Sequence, residues 1–169
     1  MKSIVEHTIP PIYNENSKIL ILGSIPSPKS REQAFYYAHP QNRFWPVLSA
    51  LLGCDLPKTN QEKTDFLLEN RIALWDVLKS CSIEGADDSS ISEPAMNDLT
   101  PILQTAKLQA VFTTGGKAAS FYRSAWLPTI SLPFIPLPST SPANRGRYPM
   151  KRLLDEYRVI LPLSLIHIS

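Results

Sequence analysis

Aromatic rings and an amide are concentrated between residues 36 and 45, and together they suit the binding of a planar heterocycle. The rings are those of Tyr36, Tyr37, Phe44 and Trp45. Asn42 and His39 place polar groups among these rings. Aromatic faces combined with amides are typical of sites that bind a nucleobase. For Phe44, Trp45 and His39 we favour a simpler explanation, in which the rings form a helix core and the imidazole caps a turn.

A second candidate loop follows the first apolar run of the chain. The run begins at Lys18 and ends at Gly23, and the loop continues through Ser24 and Ile25 to two prolines, Pro26 and Pro28. A glycine at the end of a strand lets a ligand approach the backbone closely. The prolines stiffen the turn that follows.

A third candidate loop, over residues 137–145, combines hydroxyl groups with prolines. Ser139, Thr140 and Ser141 supply three hydroxyls, and Arg145 ends the run. Small hydroxyl side chains and free backbone amides at a rigid turn suit contact with phosphate. Taken alone, the run is also typical of an ordinary Ser/Pro surface turn.

Charge is distributed unevenly along the chain, although the net charge is only +2. Residues 1–98 carry 13 of the 15 acidic side chains, and residues 99–169 carry 8 of the 17 basic ones with only two acids. A stretch without a base contains the acids Glu84, Asp87, Asp88, Glu93 and Asp98. A basic cluster near the C-terminus contains Arg145, Arg147, Lys151 and Arg152. Such polarity allows one basic face to meet phosphate, and ordinary solvated lysines and arginines are the alternative.

Strand and helix patterns alternate over most of the chain. Four apolar strands are predicted at 18–23, 71–75, 108–113 and 134–137, with a further strand at 159–163. Helices are predicted at 42–52, 61–70, 96–105, 116–124 and 150–157, and 84–93 is predicted to be a polar loop. This order predicts a three-layer α/β/α sandwich with a central, mainly parallel four-stranded sheet. Ligands then bind at the carboxyl ends of the strands.

Histidine and cysteine usage gives no sign of a metal or a disulfide framework. The three histidines are far apart, and Cys54 and Cys81 form no CxxC pair. We therefore expect no metal and no cofactor, and reduced thiols in a cytoplasmic protein. No apolar run is long enough to cross a membrane, so no membrane partner is expected.

The length fits a single domain, predicted over residues 1–162. We expect residues 163–169 to be a non-native tail. Their sequence, LSLIHIS, is what the transposase end sequence used in some sequencing libraries would encode in frame. An apolar terminal segment is the alternative.

The motifs together resemble the uracil-DNA glycosylase superfamily. The run from His39 to Trp45, HPQNRFW, is similar to a motif of its mismatch-specific branch. The runs GSIP from Gly23, LWDV from Leu74 and LPSTSPAN from Leu137 most resemble its hypoxanthine-DNA glycosylase branch. The similarity extends over about residues 18–157 and implies a parallel sheet between helices.

The resemblance implies a monofunctional DNA glycosylase of base excision repair. Such an enzyme hydrolyses the N-glycosidic bond of a flipped deaminated base, here best matched to hypoxanthine, without a metal. Its partner is double-stranded DNA with a damaged or mismatched base, and we expect it to act as a monomer. On this resemblance Asn42 is catalytic. The implied base pocket contains Gly23, Ser24, Ile25, Pro26, Tyr37 and Asp76. The implied DNA-binding residues are Ser139, Ser141, Pro142, Ala143, Asn144 and Arg145.

One position departs from the mismatch-specific branch. That branch carries a water-positioning Asn where this chain has Ile25, which cannot bind water. The hypoxanthine branch also lacks this Asn and is thought to use the Asn that corresponds to Asn42. We expect Asn42 to orient the attacking water through its carbonyl oxygen. Asp76 follows a predicted strand and is expected either to contact the base edge or to cap a helix.

Two other functions stay open from the sequence. One is a uracil or mismatch-specific DNA glycosylase of the same fold. The other is a non-catalytic DNA-binding module, since Ile25 replaces a residue that handles water in related enzymes.

Overall fold

The computed structural model describes residues 2–161. Its strands are β1 (Ser3–Glu6), β2 (Ile19–Gly23), β3 (Ile72–Asp76), β4 (Leu78–Glu84), β5 (Asp87–Met96), β6 (Ala110–Thr114) and β7 (Phe134–Leu137). Its α-helices are α1 (Pro28–Gln33), α2 (Phe44–Leu52), α3 (Asn60–Glu69), α4 (Thr100–Thr105), α5 (Gly116–Ala125) and α6 (Met150–Tyr157). Within these residues, no helix has the length and apolarity needed to cross a bilayer.

The central sheet contains four parallel strands in the order β3-β2-β6-β7. All five residues of β2 are buried, and so are all five of β6. A strand covered on both faces carries apolar side chains in both directions, which explains the uninterrupted Ile-Leu-Ile-Leu run. The predicted parallel four-stranded sheet is therefore confirmed.

Helices cover both faces of this sheet. On one face, Ile19 and Ile21 pack with side chains of α2, α3 and α6. On the other face, Leu20 and Leu22 pack with side chains of α4 and α5. Successive residues of a strand point to opposite faces, so β2 contributes to both apolar clusters. The three-layer α/β/α prediction is confirmed.

A second sheet, which the sequence analysis missed, packs beside the first. It is antiparallel, with the order β1-β4-β5. The prediction of a polar loop at 84–93 is wrong, because these residues lie mostly in β5. The pattern gave no strand signal since β5 is largely exposed and its pairing with β4 is interrupted by register shifts. Apolar side chains of Val5, Leu78 and Ile83 close a small core beneath this sheet.

Three further elements differ from the sequence prediction. Helix α1 was not predicted, and α4 begins at Thr100 instead of residue 96 because Met96 is the last residue of β5. The predicted strand at 159–163 is wrong for its described part, because Arg158–Ile160 forms a 3₁₀ turn that continues from α6. The suspected tail, residues 163–169, lies outside the described residues.

Candidate active site

A cleft of about 1010 Å³ opens at the carboxyl ends of the parallel strands. Its walls come from the loops after β2, β6 and β7 and from Asp76 at the carboxyl end of β3, as expected for a sheet of this type. The loop after β2 and the loop after β7 face each other across it, and the tip of the β4–β5 hairpin closes one side. The structure thus brings together the three candidate loops of the sequence analysis.

Gly23 lies where the cleft meets the central sheet. It is the register partner of Asp76 on the neighbouring strand. A Cβ at this position would overlap Asp76 Oδ1 and lie 3.0 Å from Tyr37 Oη. Glycine is therefore required here by close approach of its neighbours, and not by an unusual backbone conformation.

Tyr37 is held rigidly in the cleft wall. Its backbone has φ +50°, which is uncommon for a residue with a side chain. One ring face stacks on Phe44, with the centroids 3.9 Å apart and the planes 10° from parallel. The phenol oxygen lies 2.8 Å from Thr114 Oγ1, and burial, with the nearby Asp76 charge, raises the pKa of Tyr37. A neutral, fixed ring of this kind can stack on a planar ligand.

Asn42 also lines the cleft, and its amide orientation is fixed by two hydrogen bonds. Its Oδ1 accepts from the Phe44 backbone N–H at 2.9 Å and from the Thr140 hydroxyl at 2.8 Å. Both lone pairs of the oxygen are therefore occupied. The group that remains for a ligand is the NH₂, which corrects the expectation that the carbonyl oxygen orients water.

Asp76 is paired with a histidine that the sequence analysis did not connect to the site. His7 Nε2 lies 2.7 Å from Asp76 Oδ2, and both side chains are almost fully buried. Asp76 ends β3 and is followed by β4, so the alternative of a helix cap is wrong. His7 has no local motif that could have identified it, because its partner is 69 residues away.

Ile25 and Pro26 both line the cleft. Ile25 also packs into the small core beneath the antiparallel sheet, with Val5, Leu78 and Ile83 among its neighbours. Its apolar side chain therefore ties the loop after β2 to the second sheet.

The loop after β7 is shaped by its own polar side chains. Ser139 Oγ accepts from the Ser141 N–H, and Ser141 Oγ caps the 3₁₀ turn Pro142–Asn144 by accepting from the Ala143 N–H. Asn144 Nδ2 donates to the Ser139 carbonyl at 2.9 Å. Of the predicted DNA-binding residues, these three side chains maintain the loop's shape, whereas Ala143 and Arg145 are exposed.

Arg43 links this loop to the segment before α2 that carries Asn42. Its backbone N–H donates to the Thr140 carbonyl at 3.2 Å, and its Nη1 donates to the Tyr148 carbonyl at 2.6 Å. Together with the hydrogen bond between Thr140 and Asn42, these contacts join the loop after β7 to the segment that carries Asn42 and Arg43. Thr140 is 1% exposed. Bulk water therefore cannot replace Asn42 as the acceptor of the hydrogen bond from the Thr140 hydroxyl.

The other aromatic candidates have structural roles. Phe44 and Trp45 are buried in the main core, as favoured from the sequence. His39 is exposed, and its Nδ1 accepts from the Gln41 N–H, which is the predicted turn cap.

The surface beside the loop after β7 is basic. Arg145, Arg147, Lys151 and Arg152 are all exposed there. The Arg152 guanidinium lies 4.5 Å from the Tyr148 ring centroid, in cation–π geometry. Among residues 2–161, no group of three or more His, Cys, Asp or Glu side chains is arranged to hold a metal ion.

We expect Thr140→Val to lower activity by removing the hydrogen bond that fixes Asn42. Valine keeps the shape of the side chain, so a loss of about tenfold in the rate of the chemical step is expected from the missing hydroxyl. Thr140→Ser retains the hydroxyl and should restore most of the rate. Equal losses in both variants would show that the hydroxyl does not act through Asn42.

Three comparisons connect this geometry to known proteins. The family model of the uracil DNA glycosylase superfamily matches residues 10–160. A hypoxanthine DNA glycosylase of Methanosarcina barkeri is 38% identical over 114 residues, which is 66% of this chain and 72% of that protein. A hypoxanthine DNA glycosylase of Methanosarcina acetivorans is 36% identical over 144 residues, which is 84% of this chain and 90% of that protein.

A solved structure gives the same result for the fold. The solution NMR structure of a candidate uracil DNA glycosylase from Methanosarcina acetivorans matches with a TM-score of 0.78 and 33% identity. The match covers 94% of this chain and 99% of that one.

Proposed function

Because the chain belongs to the uracil DNA glycosylase superfamily, we propose that it is a hypoxanthine DNA glycosylase that removes this base from double-stranded DNA. The observation that carries the proposal is the juxtaposition of Tyr37, the Gly23 loop and the fixed Asn42 amide in one cleft. Sequence identity to two hypoxanthine DNA glycosylases supports the choice of base. The protein acts as a monomer in the cytoplasm, in the first step of base excision repair.

The flipped base enters the cleft between the two facing loops. Flipping costs a few kcal/mol and is easiest at a mispaired base, such as hypoxanthine opposite thymine or cytosine. The ring of Tyr37, already packed on Phe44, offers its other face to the base. A rigid wall loses little conformational entropy when the base binds.

Hydrolysis breaks the bond between N9 of the base and C1′ of the sugar. The electron pair of that bond leaves with the base, and a water oxygen forms the new bond to C1′. The water proton passes to solvent, and the departed base takes up a proton in turn. We assign to the backbone N–H groups of Ser24 and Ile25 the stabilisation of the negative charge that develops on the leaving base.

Asn42 holds the attacking water by donating from Nδ2 to the water oxygen. Its own carbonyl oxygen is occupied by Phe44 and Thr140. An amide is too weak a base to take the water proton, and an oxocarbenium-like sugar does not need a strong nucleophile. Fixed placement of the water is therefore the main contribution of Asn42.

The loop after β7 binds the DNA backbone near the flipped nucleotide. Ala143 and Arg145 are its exposed side chains, and the basic surface of Arg147, Lys151 and Arg152 continues beside it. Because this loop is hydrogen-bonded to Asn42 and Arg43, DNA binding and placement of the water depend on the same contacts.

The experiment that tests the function is a glycosylase assay on a panel of duplexes. Purified protein is incubated with oligonucleotides that carry inosine, uracil or xanthine, and abasic sites are then cleaved with alkali. Strand breaks at inosine, faster than at uracil, are the expected result. Faster release of uracil would instead assign a uracil DNA glycosylase, and no break on any substrate would assign a DNA-binding module.

We expect Arg145→Ala to weaken binding to all duplexes by a similar factor. A phosphate contact carries no sequence information, so damaged and undamaged DNA should be affected alike. The slope of log affinity against log salt concentration should fall by about one. Fluorescence anisotropy across a salt series measures both quantities, and a loss confined to one duplex would contradict the assignment.

A further inference from the structure

The tip of the β4–β5 hairpin brings three acidic residues to the lining of the cleft, Glu84, Asp87 and Asp88, and no motif of the sequence identified any of them as a site residue. Asp88 lies near the start of β5 and is partly buried, whereas the neighbouring Asp87 is exposed. Asp88 Oδ2 accepts a hydrogen bond of 2.8 Å from the Ser24 hydroxyl. The partners are 64 residues apart, so only the antiparallel sheet brings them together.

Ser24 places this carboxyl beside the base-binding loop. It directly follows Gly23 and is 7% exposed, so its hydroxyl has little freedom to point elsewhere. The bond from Ser24 fixes one carboxyl oxygen of Asp88. The other oxygen, Oδ1, has no hydrogen-bond partner within residues 2–161, although Asp88 lines the cleft.

The surroundings of Asp88 leave its carboxyl short of hydrogen-bond donors. Burial raises the pKa of Asp88 above its usual range, and the nearby charges of Asp76 and Asp87 act in the same direction. The Ser24 hydroxyl and the Lys117 ammonium act in the opposite direction. A ligand that brings an N–H group to Oδ1 would therefore supply what the site lacks.

Hypoxanthine and adenine differ in the N–H group that they can offer to this carboxyl at one ring position. Hypoxanthine carries a hydrogen on N1, whereas N1 of adenine carries a lone pair. An ionised carboxylate can only accept hydrogen bonds. It therefore attracts N1–H of hypoxanthine and repels the N1 lone pair of adenine.

We propose that Asp88 is a specificity-determining residue that accepts a hydrogen bond from N1–H of the flipped hypoxanthine. This inference rests on the proposed function and extends it. It gives the β4–β5 hairpin, which lies outside the four-stranded sheet, a role in the selection of the base. The residue acts on the choice of base, while Asn42 acts on the water.

The test compares two substrates that differ only at N1. One duplex carries deoxyinosine and the other carries 1-methyl-deoxyinosine, in which a methyl group replaces the N1 hydrogen. Single-turnover excision rates are measured for the wild-type protein, Asp88→Ala and Glu93→Ala. Glu93→Ala is the matched control, because it removes the same charge from an exposed position of the same hairpin that does not line the cleft.

We expect Asp88→Ala to lower the deoxyinosine rate by about tenfold or more, since the acceptor for N1–H is lost. The rate on 1-methyl-deoxyinosine should change by less than about threefold, because this substrate has no N1–H to donate. Glu93→Ala should leave both rates close to wild type. For each substrate, the excision rate of the variant is divided by that of the wild type. This ratio cancels the difference in base-flipping cost between the two substrates.

Two outcomes would overturn the inference. Equal losses on both substrates would show that Asp88 supports the cleft without contacting N1, and an unchanged deoxyinosine rate would show that it contacts nothing. If the wild-type protein cleaves the methylated substrate too slowly to measure, inhibition by free hypoxanthine and free 1-methylhypoxanthine provides the same comparison. Failure of the wild-type protein to release hypoxanthine would instead overturn the proposed function, which keeps the two failures distinct.

Discussion

Replacement of Asn42 by alanine is expected to lower the single-turnover rate of hypoxanthine release by about tenfold or more, equivalent to about 1.4 kcal/mol or more of transition-state stabilisation. The affinity for duplex DNA should stay close to that of the wild type. Asn42 donates to the water and not to phosphate, and the contacts of Arg43 with Thr140 and Tyr148 still hold the loop after β7 when the Asn42 bond is lost, so the main effect falls on the chemical step. Single-turnover assays on an inosine-containing duplex, together with anisotropy titrations, measure the two quantities separately.

A second variant at this position distinguishes which atom of the amide acts. Asn42→Asp keeps an oxygen that can accept from the Phe44 N–H and from the Thr140 hydroxyl, as Oδ1 does in the native protein. It replaces the NH₂ by a second oxygen, which cannot donate when ionised. We expect this variant to be as slow as Asn42→Ala. A rate near that of the wild type would show that an acceptor is sufficient, and that the water is held in another way.

Replacement of Gly23 by alanine is the second change with a large expected effect. The added Cβ would overlap Asp76 Oδ1 and come within 3.0 Å of Tyr37 Oη. Asp76 is held by His7, and Tyr37 is held by Phe44 and Thr114, so neither side chain can yield easily. We expect the excision rate to fall by about tenfold to 100-fold, since small displacements of positioning groups are costly.

The control for this variant is Gly146→Ala. A Cβ at Gly146 meets no atom of the described residues within 4 Å, so the same chemical change is made in open space. Its excision rate and its melting temperature should equal those of the wild type. For Gly23→Ala, an excision rate within about threefold of the wild type would contradict the argument that the loop, Asp76 and Tyr37 form one rigid unit.

The central sheet could be predicted from the sequence because its signals are local. The strand Phe134–Leu137 and the helix Met150–Tyr157 begin and end at the predicted residues. Buried parallel strands are continuous apolar runs, and an amphipathic helix repeats its apolar positions every turn. The hairpin of β4 and β5 has neither signal, because it is mostly polar and its pairing is irregular.

The sequence by itself determined the fold class and three of the segments that line the cleft, since these follow from the order of strands and from motifs of neighbouring residues. Only the tertiary structure decided which atoms these residues offer to a ligand. The bond from Thr140 to Asn42 joins residues 98 positions apart, and it turns the amide so that its NH₂ has no hydrogen-bond partner among residues 2–161. The pairing of His7 with Asp76 and that of Ser24 with Asp88 span 69 and 64 positions. Such contacts depend on how sheets and loops pack in space, and no local pattern of residues encodes them.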